Sequence, residues 1–322
     1  MQADFVKGHC GWDVVTLLPA EQIPRGRELE AALKILDAPV DGGLEVGFLG
    51  RGNRPDEITV KIVDSTTRNW VRMCGGMTQV IGKAAVESFF RDHFKFDLST
   101  PYLRFKLMTP SGEVPILVEV ANGRATRVTT VMDNVIPTFY AAGVTPLTLR
   151  NCDVLRVDDF CVIDVASLER AYPGHDFTRR DPGPHLDIVN SVLHAFGEEV
   201  PLGSGVVGMM YDQRPQGPGA FRLYPRFLSD DLAAARLPYE FQCGTGLLAV
   251  GIALVRRGLL PASEGQECAI FEWGSQSATP DPYGIRTSEF AFSVHEDRLI
   301  AASFSHSVVE ILAEGRLTLP GY

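Results

Sequence analysis

Cys74-Gly-Gly-Met-Thr-Gln-Val-Ile-Gly-Lys-Ala-Ala-Val86 and Cys243-Gly-Thr-Gly-Leu-Leu-Ala-Val-Gly-Ile-Ala-Leu-Val255 are two versions of one pattern. Set in register from the cysteine they share Cys-Gly, a second glycine (Gly82, Gly251), an alanine (Ala84, Ala253) and a valine (Val86, Val255). The cysteines lie 169 residues apart in a chain of 322, about half its length. That spacing suggests an internal duplication, with one thiol per half at the start of a helix.

The second segment is apolar on nearly every face, whereas a surface helix shows one apolar stripe, so protein must surround it. A sheet curled around a central helix would do this. The first segment is mixed: Lys83, Glu87, Arg91 and Asp92 point to solvent in the second part of a helix expected over 76–94. Further helices are expected over 27–36, 186–196 and 246–259. Period-2 patterning predicts strands over 58–63, 102–107, 114–120, 127–132, 206–211, 288–294 and 299–305. Asp13-Val-Val-Thr-Leu recurs loosely as Asp164-Val-Ala-Ser-Leu, an offset of 151, so the second half carries about 18 more residues before its cysteine. The Pro- and Gly-rich stretch Tyr172 to His185 is the obvious place for them. The expected division is 1–150, carrying Cys74, and 151–322, carrying Cys243.

Composition narrows the function classes. A hydrophobic fraction of 45% supports packed cores. A net charge of −10 with both signs interspersed provides no basic stripe for phosphate backbones, so nucleic acid is not an expected partner. The apolar run from Cys243 to Val255, 13 residues, is too short to span a bilayer, which needs roughly 20, and no membrane association is expected. The first residues have no secretory apolar stretch, and the six cysteines (10, 74, 152, 161, 243, 268) form no Cys-x-x-Cys pair. A reducing, cytoplasmic setting is expected. The seven histidines are scattered, and no metal-ligand set emerges.

A cysteine directly ahead of a helix lies at the positive end of the helix dipole, which favours thiolate over thiol. Gly75-Gly76 and Gly244-Thr245-Gly246 leave the first amides bare, so a substrate carboxylate could rest against them. Removal of a proton α to a carboxylate needs a base and stabilisation of the enolate-like charge. Two helix starts supply the stabilisation. Two thiols supply a base on one face and an acid on the other, and the centre inverts. No cofactor is needed, and no dinucleotide or Walker-type glycine loop is present. Thr78 and Thr245 are candidates to donate to the carboxylate, though a hydroxyl there serves equally as a helix cap. His9 and Asp13 are candidates to reach the site, with packing the simpler explanation for His9. Arg72 could neutralise a second substrate carboxylate, against the alternative of a solvated side chain. Cys10, Cys152, Cys161 and Cys268 lack this context and read as core or surface thiols.

The two cysteine segments, with Asp133-Asn-Val-Ile-Pro-Thr-Phe139, resemble the diaminopimelate epimerase and proline racemase families of two-cysteine, cofactor-independent isomerases. The resemblance implies two similar α/β domains, each a mixed sheet around a central helix, with the active site in the interdomain cleft and Cys74 and Cys243 as the acid/base pair. It implies a small carboxylate substrate, an amino acid or unsaturated organic acid, and allows a homodimer. It places Asn134 near the interdomain hinge, where a turn role is simplest. The sequence also departs from these families. Gly76-Met77 follows the first Cys-Gly in place of Asn-Gly or His-Gly, Glu240 lies one place nearer the second cysteine than the acid of hydroxyproline epimerases, and Met77 and Phe241 would make the pocket apolar if they face it. The leading reading is therefore a racemase or epimerase of unspecified substrate. Alternatives are an isomerase moving a double bond in an unsaturated di- or tricarboxylate, as in methylaconitate isomerases, a dehydratase, or a non-catalytic carboxylate binder.

Overall fold

The computed structural model describes residues 2–11, 13–38, 43–65, 67–179, 183–200, 206–213, 220–228, 243–260, 262, 265–273 and 286–319. Two strands decide how the chain divides. Val309–Thr318 (β17) runs antiparallel to Gln2–Cys10 (β1), so the C-terminal strand belongs with the N-terminal residues. Val144–Leu149 (β9) runs antiparallel to Cys152–Val157 (β10), so a strand from before residue 150 belongs with the residues after it. The compact units are accordingly Met1–Val135 with Phe304–Tyr322, and Ile136–Ser303. The chain crosses between them twice, at 135/136 and 303/304, instead of once near 150.

In the first unit, Asp13–Pro19 (β2), Glu45–Arg51 (β3), Glu57–Asp64 (β4), Asn69–Val71 (β5), Tyr102–Thr109 (β6), Gly112–Ala121 (β7) and Arg124–Val131 (β8) complete a mixed sheet. Its order is β17, β1, β2, β3, β4, β6, β7, β8, with β5 on the last residues of β4. Helix α1, Glu28–Leu36, covers one face with Ala31, Ala32 and Ile35 against Leu18, Val46 and Phe48. Helix α2, Gly75–Glu87, packs on β1, β2 and β17 near one end of that order and on β7 and β8 at the other, so the sheet curls around it. The helix expected over 76–94 is broken at Ser88. The Ser88 hydroxyl donates to Ala84 O (2.7 Å) and accepts from Phe90 N (3.2 Å), its backbone is extended, and a separate helix α3, Phe90–Phe94, comes next. Lys83 reaches the surface paired with Glu87 at 2.9 Å.

The second unit holds α4 (Ile136–Ala142), β9, β10, β11 (Phe160–Asp164), α5 (Val165–Ala171), α6 (Pro184–Glu199), β12 (Val206–Asp212), β13 (Ala220–Leu228), α7 (Gly244–Arg256), β14 (Glu267–Trp273), β15 (Arg286–His295) and the start of β16 (Arg298–His306). Helices α5 and α6 bury one face of the sheet with Leu168, Val189, Leu193 and Phe196. Helix α7 lies on β10, β11 and β12. All its residues from Gly246 to Val255 are buried, as an apolar surface all round requires.

Strand pairing repeats between the units. Antiparallel β1/β2, parallel β2/β3, antiparallel β3/β4, parallel β4/β6 and antiparallel β6/β7 recur in that order as β10/β11, β11/β12, β12/β13, β13/β14 and β14/β15. Helices α2 and α7 occupy the same place in this order. The landmark pair Asp13 and Asp164 does not: Asp13 opens β2, whereas Asp164 closes β11 and caps α5 by accepting from Ala166 N (3.0 Å). The link from β11 to β12 carries two helices where that from β2 to β3 carries α1 and a short 3-10 turn.

His306, at the end of β16, is buried, and that burial pushes its imidazole down to about 3 from 6.5. Above pH 6.5 neither folded nor unfolded chain holds that proton; as pH falls toward 3 only the unfolded chain binds it, and stability is lost across that window. Between pH 7 and 5 this costs about 2 kcal/mol. Urea midpoints should therefore drop more between those pH values for the wild type than for His306→Phe. Equal drops would show that His306 does not contribute to the loss.

Candidate functional site

Cys74 is the N-cap of α2 and Cys243 the N-cap of α7, both with extended backbone. The Cys74 sulfur is buried and accepts a hydrogen bond from Met77 N at 3.2 Å. Its carbonyl accepts from Thr78 N (3.2 Å), which starts the helical ladder and leaves the amides of Gly75 and Gly76 outside it. At the second helix start, the Cys243 carbonyl accepts from Leu247 N (2.9 Å), and the Gly244, Thr245 and Gly246 amides lie outside the ladder in the same way. The Cys243 sulfur is half-buried and lies 3.8 Å from Thr245 Oγ1.

The register of the two segments is also the register of their packing. A Cβ on Gly82 would lie 2.4 Å from Val128 Cγ1 on β8, and one on Gly251 would lie 2.6 Å from Phe290 Cζ on β15. Each glycine lets the sheet approach the helix axis, which is why it recurs eight residues after the cysteine. Three residues after the cysteine the halves exchange roles. Met77 of α2 fills the space beside Gly47 of β3, its sulfur 2.7 Å from where a Cβ would be. In the other half, Gly246 of α7 faces Met209 of β12, whose sulfur would lie 2.5 Å from its Cβ. The strands β3 and β12 occupy equivalent places, so one thioether supports each helix start, from the helix in one half and from the strand in the other. Met77 is fully buried in this slot.

The sequence matches no protein-family model and no curated protein. Solved structures do match. A probable proline racemase from Agrobacterium radiobacter K84, with bound carbonate, superposes with a TM-score of 0.66 over 99% of this chain and 94% of its own, at 13% identity. A hydroxyproline epimerase from Agrobacterium vitis, with bound trans-4-OH-L-proline, gives 0.64 over 98% and 91%, at 15% identity. A methylitaconate-delta-isomerase gives 0.61 over 98% and 95%, at 14% identity. The chain has a proline racemase-like fold.

Within that fold the remaining candidates have separate surroundings. Thr78 is buried and its hydroxyl turns inward, donating to Gly75 O (2.7 Å) and meeting Thr130 Oγ1 at 2.8 Å, so its proton is not offered to a ligand. Thr245 is half-buried and keeps its hydroxyl beside Cys243. His9 is held in the wall of the sheet, Nε2 3.1 Å from Glu310 Oε2 and Nδ1 3.4 Å from Gly11 O. Arg72 is exposed, two residues ahead of Cys74. Asn134 donates from Nδ2 to Glu113 O (3.1 Å) and serves the turn that ends the first unit. Glu240 and Phe241 lie outside the described residues. Among the other cysteines, Cys10, Cys152 and Cys161 are fully buried; burial raises the Cys152 thiol to about 11 and that of Cys161 further, while Cys268 is exposed. Sequence reading missed Gln79, Thr130 and Met209. Gln79 alone carried a signal, a polar side chain in a run that should be buried.

The Gly246 slot can be tested. Gly246→Ala puts a methyl against Met209 and within 3.0 Å of the Cys243 sulfur, and should cost about 1–3 kcal/mol of stability. Met209→Ala in the same chain should restore part of that loss in a double-mutant cycle. Purely additive effects would mean that the slot is not shared.

Proposed function

We propose that this protein is a cofactor-independent racemase or epimerase that inverts a carbon α to a carboxylate, with Cys74 and Cys243 as its acid/base pair. One observation carries the reading: two buried helices in equivalent places of a repeated fold each open on a cysteine followed by bare amides. In the forward direction one thiolate takes the α proton, the electron pair spreads onto the carboxylate, and the other thiol delivers its proton to the opposite face. The sulfurs end with their protonation exchanged, and the reverse reaction restores them. The amides of Gly75, Gly76, Gly244, Thr245 and Gly246 hold the carboxylate, where charge develops as the proton leaves. Thr245 can add a hydroxyl donor; Thr78 has none to give. As units of duplication the halves would be 1–150 and 151–322, each supplying one central helix and most of the sheet around it, with the last strand of that sheet supplied by the other half. Likeness in fold to structures of a hydroxyproline epimerase and a probable proline racemase supports this assignment.

A second reading is migration of a double bond in an unsaturated acid, favoured by the comparable match to a methylitaconate-delta-isomerase. It uses the same proton transfers without inversion. Solvent exchange separates the two. In heavy water an epimerase incorporates deuterium at the α carbon of an amino or imino acid as it inverts, whereas the isomerase labels only unsaturated acids. Cys74→Ser and Cys243→Ser should each lower turnover by about 10²- to 10⁴-fold. Each should still exchange the α proton of at most one enantiomer, since the remaining thiol serves one face. Wild-type inversion in either variant would refute a two-thiol mechanism.

A further inference from the structure

A chain of polar side chains runs through the interior of the first unit to the start of α2. Gln79 Nε2 donates to Thr130 Oγ1 (2.7 Å), the Thr130 and Thr78 hydroxyls are 2.8 Å apart, and Thr78 Oγ1 donates to Gly75 O (2.7 Å). The direction of every proton is determined. A backbone carbonyl only accepts and an amide NH₂ only donates, so Thr130 must give its proton to Thr78. Gln79 is oriented in turn by His306 N, which donates to its Oε1 (3.3 Å), and by Phe304 O, 3.5 Å from its Nε2. All three side chains are at least 99% buried.

The fold does not require this chain. In α7 the residues four and five after the cysteine are Leu247 and Leu248, both fully buried, where α2 has Thr78 and Gln79. At these two positions the corresponding helix of the second half is built with buried apolar side chains. Burying three polar side chains gains little stability over that solution even when every group is satisfied, and costs much if one is not. The segment they hold is also the loosest possible backbone, Gly75-Gly76.

We propose that Thr78, Thr130 and Gln79 are positioning residues for Cys74, an inference that rests on the reading of Cys74 as an acid/base residue. The Gly75 carbonyl and the Gly76 N–H belong to one planar peptide and point in opposite directions. Holding the carbonyl on Thr78 therefore aims the Gly76 N–H out of the helix start and holds the first turn in the geometry that brings Met77 N to the Cys74 sulfur at 3.2 Å. At the corresponding positions of α7 stand Leu247 and Leu248, so this chain of hydroxyl and amide groups acts on Cys74 and not on Cys243.

The test is thiol labelling of the full-length protein with iodoacetamide as a function of pH, read cysteine by cysteine by mass spectrometry. In Thr130→Val, which keeps shape and removes the hydroxyl, labelling of Cys74 at pH 7 should slow about three- to tenfold as the first turn, and with it the Met77 N–H, is held less firmly against the sulfur, and its profile should move to higher pH. The Cys243 profile should stay in place, and Thr130→Ser should restore Cys74. Thr78→Val, which removes the last link and leaves Gln79 on Thr130, should reproduce the Cys74 shift and serves if Thr130→Val does not fold. A Cys74 profile unchanged in a folded variant, or an equal shift at Cys243, overturns the proposal. Labelling needs no substrate, so failure to find a racemised acid would sink the proposed activity and leave this result to be decided separately.

Discussion

Each half of the molecule is organised by a helix buried over most of its surface. A helix enclosed by a sheet cannot end or begin in solvent on its own terms: its orphan amides must find partners or ligands, and its side chains must leave room for strands on every side. Those two requirements account for most of what surrounds the cysteines. Gly82 and Gly251 admit Val128 and Phe290 to the helix surface. A methionine sulfur fills the slot behind each helix start. The first-turn amides of α2 and α7 are left at the one end of each helix that the sheet does not satisfy. Bare amides beside a thiol are thus a by-product of burying a helix in a curled sheet.

Repetition of the strand order, with its last strands exchanged, explains why the chain crosses twice. β9 completes the sheet of the second unit and β17 that of the first, so each half of the sequence contributes an edge to the other's sheet. Such an arrangement ties the C-terminus to the first strand and makes the two halves depend on one another for sheet completion. The two halves differ in the interior more than in the topology. Met77/Gly47 and Gly246/Met209 place a thioether in the same contact while reversing its sides, whereas Thr78-Gln79 against Leu247-Leu248 changes the chemistry of the buried helix face.

Much of the site could be read before the fold was known. The shared register of Cys, Gly, Ala and Val was visible because the same helix packs on the same strands twice, and the apolar run after Cys243 announced full burial. Strands with clean alternation, such as Tyr102–Thr109 and Arg286–His295, were legible for the same local reason: one face is buried and the other is not. The break at Ser88 was not, because a serine that takes over the hydrogen bonds of a helix end is indistinguishable in sequence from one lying on a helix surface. His9, Met77 and Thr78 looked like candidates for a pocket because they flank the thiol in sequence or in the expected fold, yet their side chains turn to Glu310, Gly47 and Thr130.

Sequence alone determined the two thiols, the bare amides behind them and the helices they open, since these depend on residues within one turn of each other. The tertiary structure alone decided that β17 returns to β1 and that the Thr78 and Gln79 side chains meet Thr130. Those partners lie from 51 to more than three hundred residues apart, and a hydrogen bond or a strand edge carries no mark in sequence of which distant group will meet it.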